Sequence, residues 1–175
     1  ELAAETSPLN FNYVLGIGRM KGTIKQFDHL ILAFKNSVAI EKGLKLVLMG
    51  DGDNKKELMS FAQEEGVGDS VVFIPYQENP FPYLRAAYFT ALTSRNEGFP
   101  NVLIESLACE TPVVAYDCES GPSEIIIDRY NGLLVKNQDI DAMSKAIGEL
   151  IDDLSLYQLC KSNTLESIEK FGTET

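Results

Sequence analysis

The sequence is poor in the residues that build metal and redox centres. Among 175 residues there are three cysteines, Cys109, Cys118 and Cys160, and a single histidine, His29. The cysteines follow no metal-ligand spacing, and one histidine is too few for a Cys/His zinc site or an internal Ser-His triad, so free thiols in a reducing compartment are expected. Positive charge is scarce as well. Fifteen Lys and Arg against 26 Asp and Glu leave a formal net charge of -11, which argues against a nucleic-acid binder or a basic membrane-surface helix, since both depend on clustered cations. An anionic ligand would need a local positive pocket. No apolar run approaches the roughly 20 residues that span a bilayer, and the opening ELAAETSPLN lacks the basic and apolar regions of a signal peptide. A soluble chain is expected.

The composition, 45% hydrophobic and 23% charged, suits one compact domain with a substantial core. Residues 1–10 read as a tether or the remnant of an interdomain linker, and 11–175 as the domain. Because the chain starts and stops in polar sequence, it is expected to be a piece of something longer. Short, nearly continuous apolar runs at 11–18, 44–50, 70–75, 88–94, 111–116 and 131–135 read as strands. Between them lie helical stretches. Phe27, Leu30, Ile31 and Phe34 form a stripe at spacings of three and four within 25–37. DGDN opens a helix in which Asp51, Asp53 or Asn54 supplies the cap and Leu58, Met59 and Phe61 the apolar contacts, with a stop near Gly66. Further helices are expected at 80–87, 101–109, one turn within 120–127, 140–152 and 154–171. This alternation predicts an α/β, three-layer, Rossmann-like domain of about six parallel strands with helices on both faces. Ligands in such sheets bind at the carboxyl ends of the strands. The loops carrying Gly18 and Arg19, Gly50 and Asp51, Ser94 and Glu97, and residues 117–121 gather on that edge.

The segment SRNEGFPNVLIESLACETPVVA, residues 94–115, carries two glutamates around a helix start. Pro100 suits the first helical position, where its missing N–H costs nothing. The N–H groups of Asn101, Val102 and Leu103 then lack intrahelical partners and form a seat for phosphate. Glu97 precedes that seat, and Glu105 lies about five residues inside the helix, roughly 7 Å along it. A sugar-diphosphate-ribose ligand would meet Glu97 at the sugar and Glu105 at the ribose, because ionised carboxylates accept from vicinal hydroxyls. The alternative is that one glutamate caps the helix and the other faces water.

Arg19 and Lys25 are candidates to neutralise a diphosphate, or else ordinary surface cations. Gly16, Gly18 and Gly22 do not complete a dinucleotide fingerprint. Asp51 and Asp53 form a D-x-D that either holds a metal or turns the chain into a helix, and the turn is preferred. His29 reads as packed or exposed rather than as a base. Tyr76, Phe81 and Tyr83 line a base pocket or join the core, and Asp152 and Asp153 read as a solvated helix end.

EGFPNVLIE (97–105) followed by SLACETPVVAYDCESGPSEII and NGLLV closely resembles the C-terminal half of retaining family 4 glycosyltransferases, whose signature is two glutamates separated by seven residues. GIGRMKGTIKQFDHLILAF resembles the same family's first strand and loop, and LVLMGDGDNKKEL its second strand and helix. The resemblance, over about residues 11–160, implies the C-terminal half of a GT-B enzyme, with the acceptor-binding N-terminal domain absent. It implies donor contacts from Gly18, Arg19, Lys25, Gly98, Phe99, Asn101, Val102, Leu103 and Glu105, and Glu97 as the catalytic residue at the donor sugar. No metal or cofactor is required. The reaction implied is retaining transfer from a nucleotide-diphospho sugar, a UDP-hexose or UDP-N-acetylhexosamine, to a glycan or lipid-linked acceptor. The setting is bacterial surface polysaccharide synthesis in the cytoplasm or at the inner face of the membrane. The readings kept beside it are a non-catalytic nucleotide-sensing or interaction module and a GT-B-like epimerase or phosphorylase. Two departures stand out. The loop after Arg19 is one residue longer than the family form, so Lys21 is the fallback for Lys25. Glu110 takes a turn position that is commonly glycine, and a different turn shape is expected there.

Overall fold

A computed structural model describes residues 7–172. Strands β1 (Tyr13–Ile17), β2 (Lys45–Met49), β3 (Val71–Ile74), β4 (Phe89–Leu92), β5 (Val113–Asp117) and β6 (Gly132–Lys136) alternate with helices α1 (Phe27–Asn36), α2 (Lys55–Glu64), α3 (Phe81–Ala86), α4 (Asn101–Ala108), α5 (Pro122–Ile125) and α6 (Ile140–Asp152). Helices α7 (Leu154–Ser162) and α8 (Thr164–Ser167) and a 3-10 turn (Glu169–Phe171) close the chain. The strands form one sheet in the order β3-β2-β1-β4-β5-β6, and every pairing is parallel. Their apolar runs follow from burial on both faces: all four residues of β4 are buried. Helices α1, α2, α6 and α7 cover one face, with Phe34, Ile31, Met143 and Ile147 in that core. On the other, α3, α4 and α5 pack with Leu84, Leu103, Leu107 and Ile125. The six-stranded Rossmann-like expectation is met. Of the expected 1–10 tether, residues 1–6 lie outside the described residues, and Leu9 packs partly against the α3 core. Among the described residues no helix is long and apolar enough to cross a membrane.

β1 and β4 are neighbours, with Val14 opposite Phe89, yet β1 leads outward to β2 and β3 whereas β4 leads to β5 and β6. A crevice opens between their carboxyl ends, where the loops diverge to opposite faces. α4 is fixed beside it by a buried polar cluster. Ser106 Oγ lies 2.8 Å from Thr90 Oγ1 and 3.0 Å from the Thr111 carbonyl, and the Thr111 hydroxyl donates to the Leu84 carbonyl at 2.7 Å. Each group satisfies another away from water, so the helix has one register on β4.

Several expectations are corrected. The stretch 154–171 is not one helix: it breaks at Asn163, whose side-chain amide donates to the Tyr130 carbonyl at 3.1 Å, and the chain turns from the α6 side toward α4. Asp153 is not simply solvated but caps α7, accepting from the Leu156 N–H. No side chain caps α2, because Asn54 at its N-cap donates instead to the Gly22 carbonyl at 2.8 Å. Met59 is 45% exposed and contributes little to the core. Pro100 is the N-cap of α4 rather than its first residue. Glu110 has φ 61°, the left-handed conformation that glycine adopts freely, so the turn keeps the glycine shape and the side chain carries the strain. The three cysteines are free thiols, and all three are buried.

Candidate functional site

The loops leaving β1 and β4 are joined across the crevice. The Arg95 N–H donates to the Ile24 carbonyl at 2.9 Å, and Thr93 Oγ1 lies 3.1 and 2.9 Å from the carbonyls of Lys25 and Gln26. Over this backbone frame, Lys25 Nζ pairs with Glu97 Oε1 at 2.5 Å, and the Ser94 hydroxyl donates to the same oxygen at 2.7 Å. The Glu97 side chain is only 12% exposed and that of Lys25 27%. Two charges so placed have lost much of their hydration and depend on each other. Lys25, rather than Lys21, is thereby brought to Glu97. Lys21 and the stem of Lys25 both line an outer cleft of about 480 Å³ that also contains Phe27, Leu58 and Phe61 but not Glu97.

On the α3 side lies a cleft of about 740 Å³ bounded by Gly18, Arg19, Asp51, Tyr76, Phe81 and Glu105. Arg19 borders both clefts. Tyr76 is 69% and Phe81 41% exposed, so these rings line the cleft instead of joining the core, while Tyr83 packs partly against the core. Glu105 is half-buried on α4, and burial pushes its carboxyl above the ordinary value. A carboxylate held this way gains from hydroxyl donors that restore its lost hydration.

The D-x-D resolves as a brace. Asp51 accepts the Tyr76 N–H at 3.0 Å and the Lys55 ammonium at 3.2 Å, and these, the backbone bond first, hold its carboxyl below the usual range. Among the described residues no group of three or more His, Cys, Asp or Glu side chains is arranged to hold a metal ion. The backbone of Asp51 also accepts from the Met20 N–H at 2.9 Å. Gly50 has φ 149°, and a Cβ there would stand 2.0 Å from the Gly18 carbonyl oxygen, so only glycine lets these loops touch.

At the start of α4 the expected row of open amides is partly spent. Asn101 N–H donates to the Phe99 carbonyl at 2.9 Å and Leu103 N–H to that of Pro100 at 3.0 Å. Val102 N–H has no partner among the described residues and carries the positive end of the helix. Gly98 is exposed, and Phe99 stands edge-on to Phe171 with ring centroids 5.7 Å apart. His29 is packed, with Nδ1 3.0 Å from the Tyr116 hydroxyl. Ser94 was placed on this edge without a role and Thr93 was missed, because hydroxyl residues at a strand end carry no signal of their own.

Residues 2–167 match the family model described as glycosyl transferases group 1. The Campylobacter jejuni N-acetylgalactosamine-N,N'-diacetylbacillosaminyl-diphospho-undecaprenol 4-alpha-N-acetylgalactosaminyltransferase is 32% identical over 169 residues, which are 97% of this chain and 45% of that protein. Among solved structures, a TarM variant from S. aureus in complex with fondaparinux, alpha-GlcNAc-glycerol and UDP superposes with a TM-score of 0.84 at 28% identity, over 97% of this chain and 35% of that one. Anabaena HepE in complex with UDP-glucose gives 0.81 at 25% identity, over 91% and 45%. The chain spans about half or less of the length of these relatives.

Proposed function

The chain belongs to the glycosyl transferases group 1 family and shares the GT-B-type C-terminal fold, and from that premise we propose that it is the donor-binding domain of a retaining glycosyltransferase using a UDP-sugar. The observation that carries this reading is the Lys25–Glu97 pair at the mouth of the β1/β4 crevice, one loop away from the cleft of Arg19 and Glu105. In this assignment the base lies against Tyr76 and Phe81 and the ribose hydroxyls donate to Glu105. Arg19, Lys25 and the amide of Val102 take the diphosphate, with Gly18, Asn101 and Leu103 as backbone around it. The sugar sits at Glu97, beside Gly98 and Phe99.

In transfer the bond from the anomeric carbon to the diphosphate breaks, UDP leaves with the electron pair, and an acceptor oxygen bonds on the same face while its proton passes to the departing phosphate. Charge grows on the diphosphate as the bond breaks, so cations fixed in place stabilise the transition state more than the ground state. The alpha linkages named for the C. jejuni relative and in the S. aureus complex support retention, and the UDP of that complex and the UDP-glucose of HepE support the donor. A glycan or lipid-linked acceptor held by an N-terminal domain, and action at the inner face of the membrane in polysaccharide synthesis, complete the proposal.

Calorimetric titration with UDP, GDP and ADP tests it. UDP is expected to bind most tightly, and Glu105→Ala to weaken it about ten-fold, the worth of a hydrogen bond to a charged group. Binding of none of the three sinks the reading, and unchanged affinity in the variant sinks the role of Glu105.

A further inference from the structure

The loop that presents Glu97 is held from behind by the one that follows β5. Ser120 donates its hydroxyl to the Glu97 carbonyl at 3.2 Å, and Asn96 and Glu119 form an isolated parallel bridge. Gly121 presses closer still: a Cβ there would stand 2.9 Å from Pro100 Cδ and 3.0 Å from the Gly98 carbonyl oxygen, at a φ of +104° that side chains rarely adopt. Ser120 itself has φ 54°. The bracing loop is anchored on both sides, by Cys118, 2% exposed, and by the buried Pro122. Phe171 stands against the Phe99 side chain. The backbone of residues 96–100 is therefore braced by the loop after β5, although neither Ser120 nor Gly121 lines either cleft beside Arg19.

We infer that Ser120 and Gly121 are positioning residues that set where the Glu97 carboxylate meets the donor sugar. The inference rests on the sugar role proposed for Glu97. A side chain held by its own backbone moves with it, and displacement by about an ångström is enough to lose a directed hydrogen bond. Left-handed backbone at Ser120 and Gly121 is the conformational cost of bringing the bracing loop this near.

The test compares UDP with UDP-glucose, UDP-galactose, UDP-GlcNAc and UDP-GalNAc on the same chain. For wild type, one of these sugars is expected to bind more tightly than UDP, and that ratio is the readout. Ser120→Ala is expected to reduce it about three-fold and Gly121→Ala to abolish it, while UDP itself stays within about two-fold. Uniform loosening of the domain would weaken UDP and the sugar nucleotide alike and leave the ratio standing. A preserved ratio in both variants overturns the brace and leaves the donor site intact. If Gly121→Ala does not fold, Ser120→Ala decides alone, because its hydroxyl is exposed and its loss removes no core packing. No preference for any sugar in wild type overturns the sugar role of Glu97 and the brace with it.

Discussion

Lys25 cannot hold Glu97 and a diphosphate with the same full strength, and opposite mutations at the pair should therefore move UDP affinity in opposite directions. At 2.5 Å, two unit charges attract by about 7 kcal/mol at an effective dielectric of 20. Most of this is offset by the hydration both groups have given up, leaving a net pair worth about 1–2 kcal/mol. Drawing Lys25 toward phosphate spends part of that sum. Glu97→Gln removes the competitor, so UDP should bind equally well or up to about five-fold more tightly. Lys25→Ala removes the cation and leaves a carboxylate facing the phosphates, and UDP should bind at least about ten-fold more weakly. Calorimetry at one fixed, low ionic strength is the assay, since screening would shrink both effects. Equal weakening by the two substitutions would refute the exchange and make the pair a structural strut.

Two further predictions concern stability. Glu110→Gly relieves a left-handed side chain at a cost in unfolded-chain entropy and should stabilise by about 0.5–1 kcal/mol, raising the melting midpoint by about 1–3 °C; the Lys161 bond to its backbone carbonyl at 2.9 Å survives the change, and a lower midpoint would contradict the strain. Glu105 has its folded pKa raised by burial, so its contribution is fully present below the ordinary carboxylate pKa and is lost as pH rises through the folded value. Glu105→Gln should accordingly be more stable than wild type at pH 7, by the order of 0.5 kcal/mol after allowance for solvent screening. The gain should vanish near pH 4, and a gain that persists in acid, measured by urea titration, would contradict the burial argument. The same variant is expected to bind UDP less well.

What could be read from the chain alone was whatever repeats locally. The apolar run of β4 and the Phe27, Leu30, Ile31 and Phe34 stripe of α1 announced their elements, because one is buried on both faces and the other on one. Arg19 and Glu97 were legible as candidates through their place after strand ends, and Glu105 through its place on the helix that follows. Their partners were not. Lys25 and Glu97 are 72 positions apart, and only the meeting of β1 with β4 brings them together. The break at Asn163 was half legible: Ser162, Asn163 and Thr164 favour caps and turns over helix interiors, but the bond that Asn163 donates to the distant Tyr130 carbonyl was hidden. Asp51 read as a turn residue in preference to a metal ligand, but the Tyr76 amide that claims its carboxylate was not legible. Glu110 showed how little a side chain reveals of its own φ, since the backbone bonds that close α4, from Thr111 N–H to the Ser106 carbonyl and from Glu110 N–H to the Leu107 carbonyl, both 3.0 Å, impose the turn that glycine adopts at lower cost.

A crystal structure of this chain grown with UDP would test the donor site most directly. Uracil is expected between Tyr76 and Phe81, the ribose hydroxyls on Glu105, and the diphosphate within hydrogen-bond reach of Arg19 and the Val102 amide, with Lys25 Nζ drawn away from Glu97. UDP bound in the outer cleft beside Lys21, or a diphosphate out of reach of both Arg19 and α4, would contradict this placement.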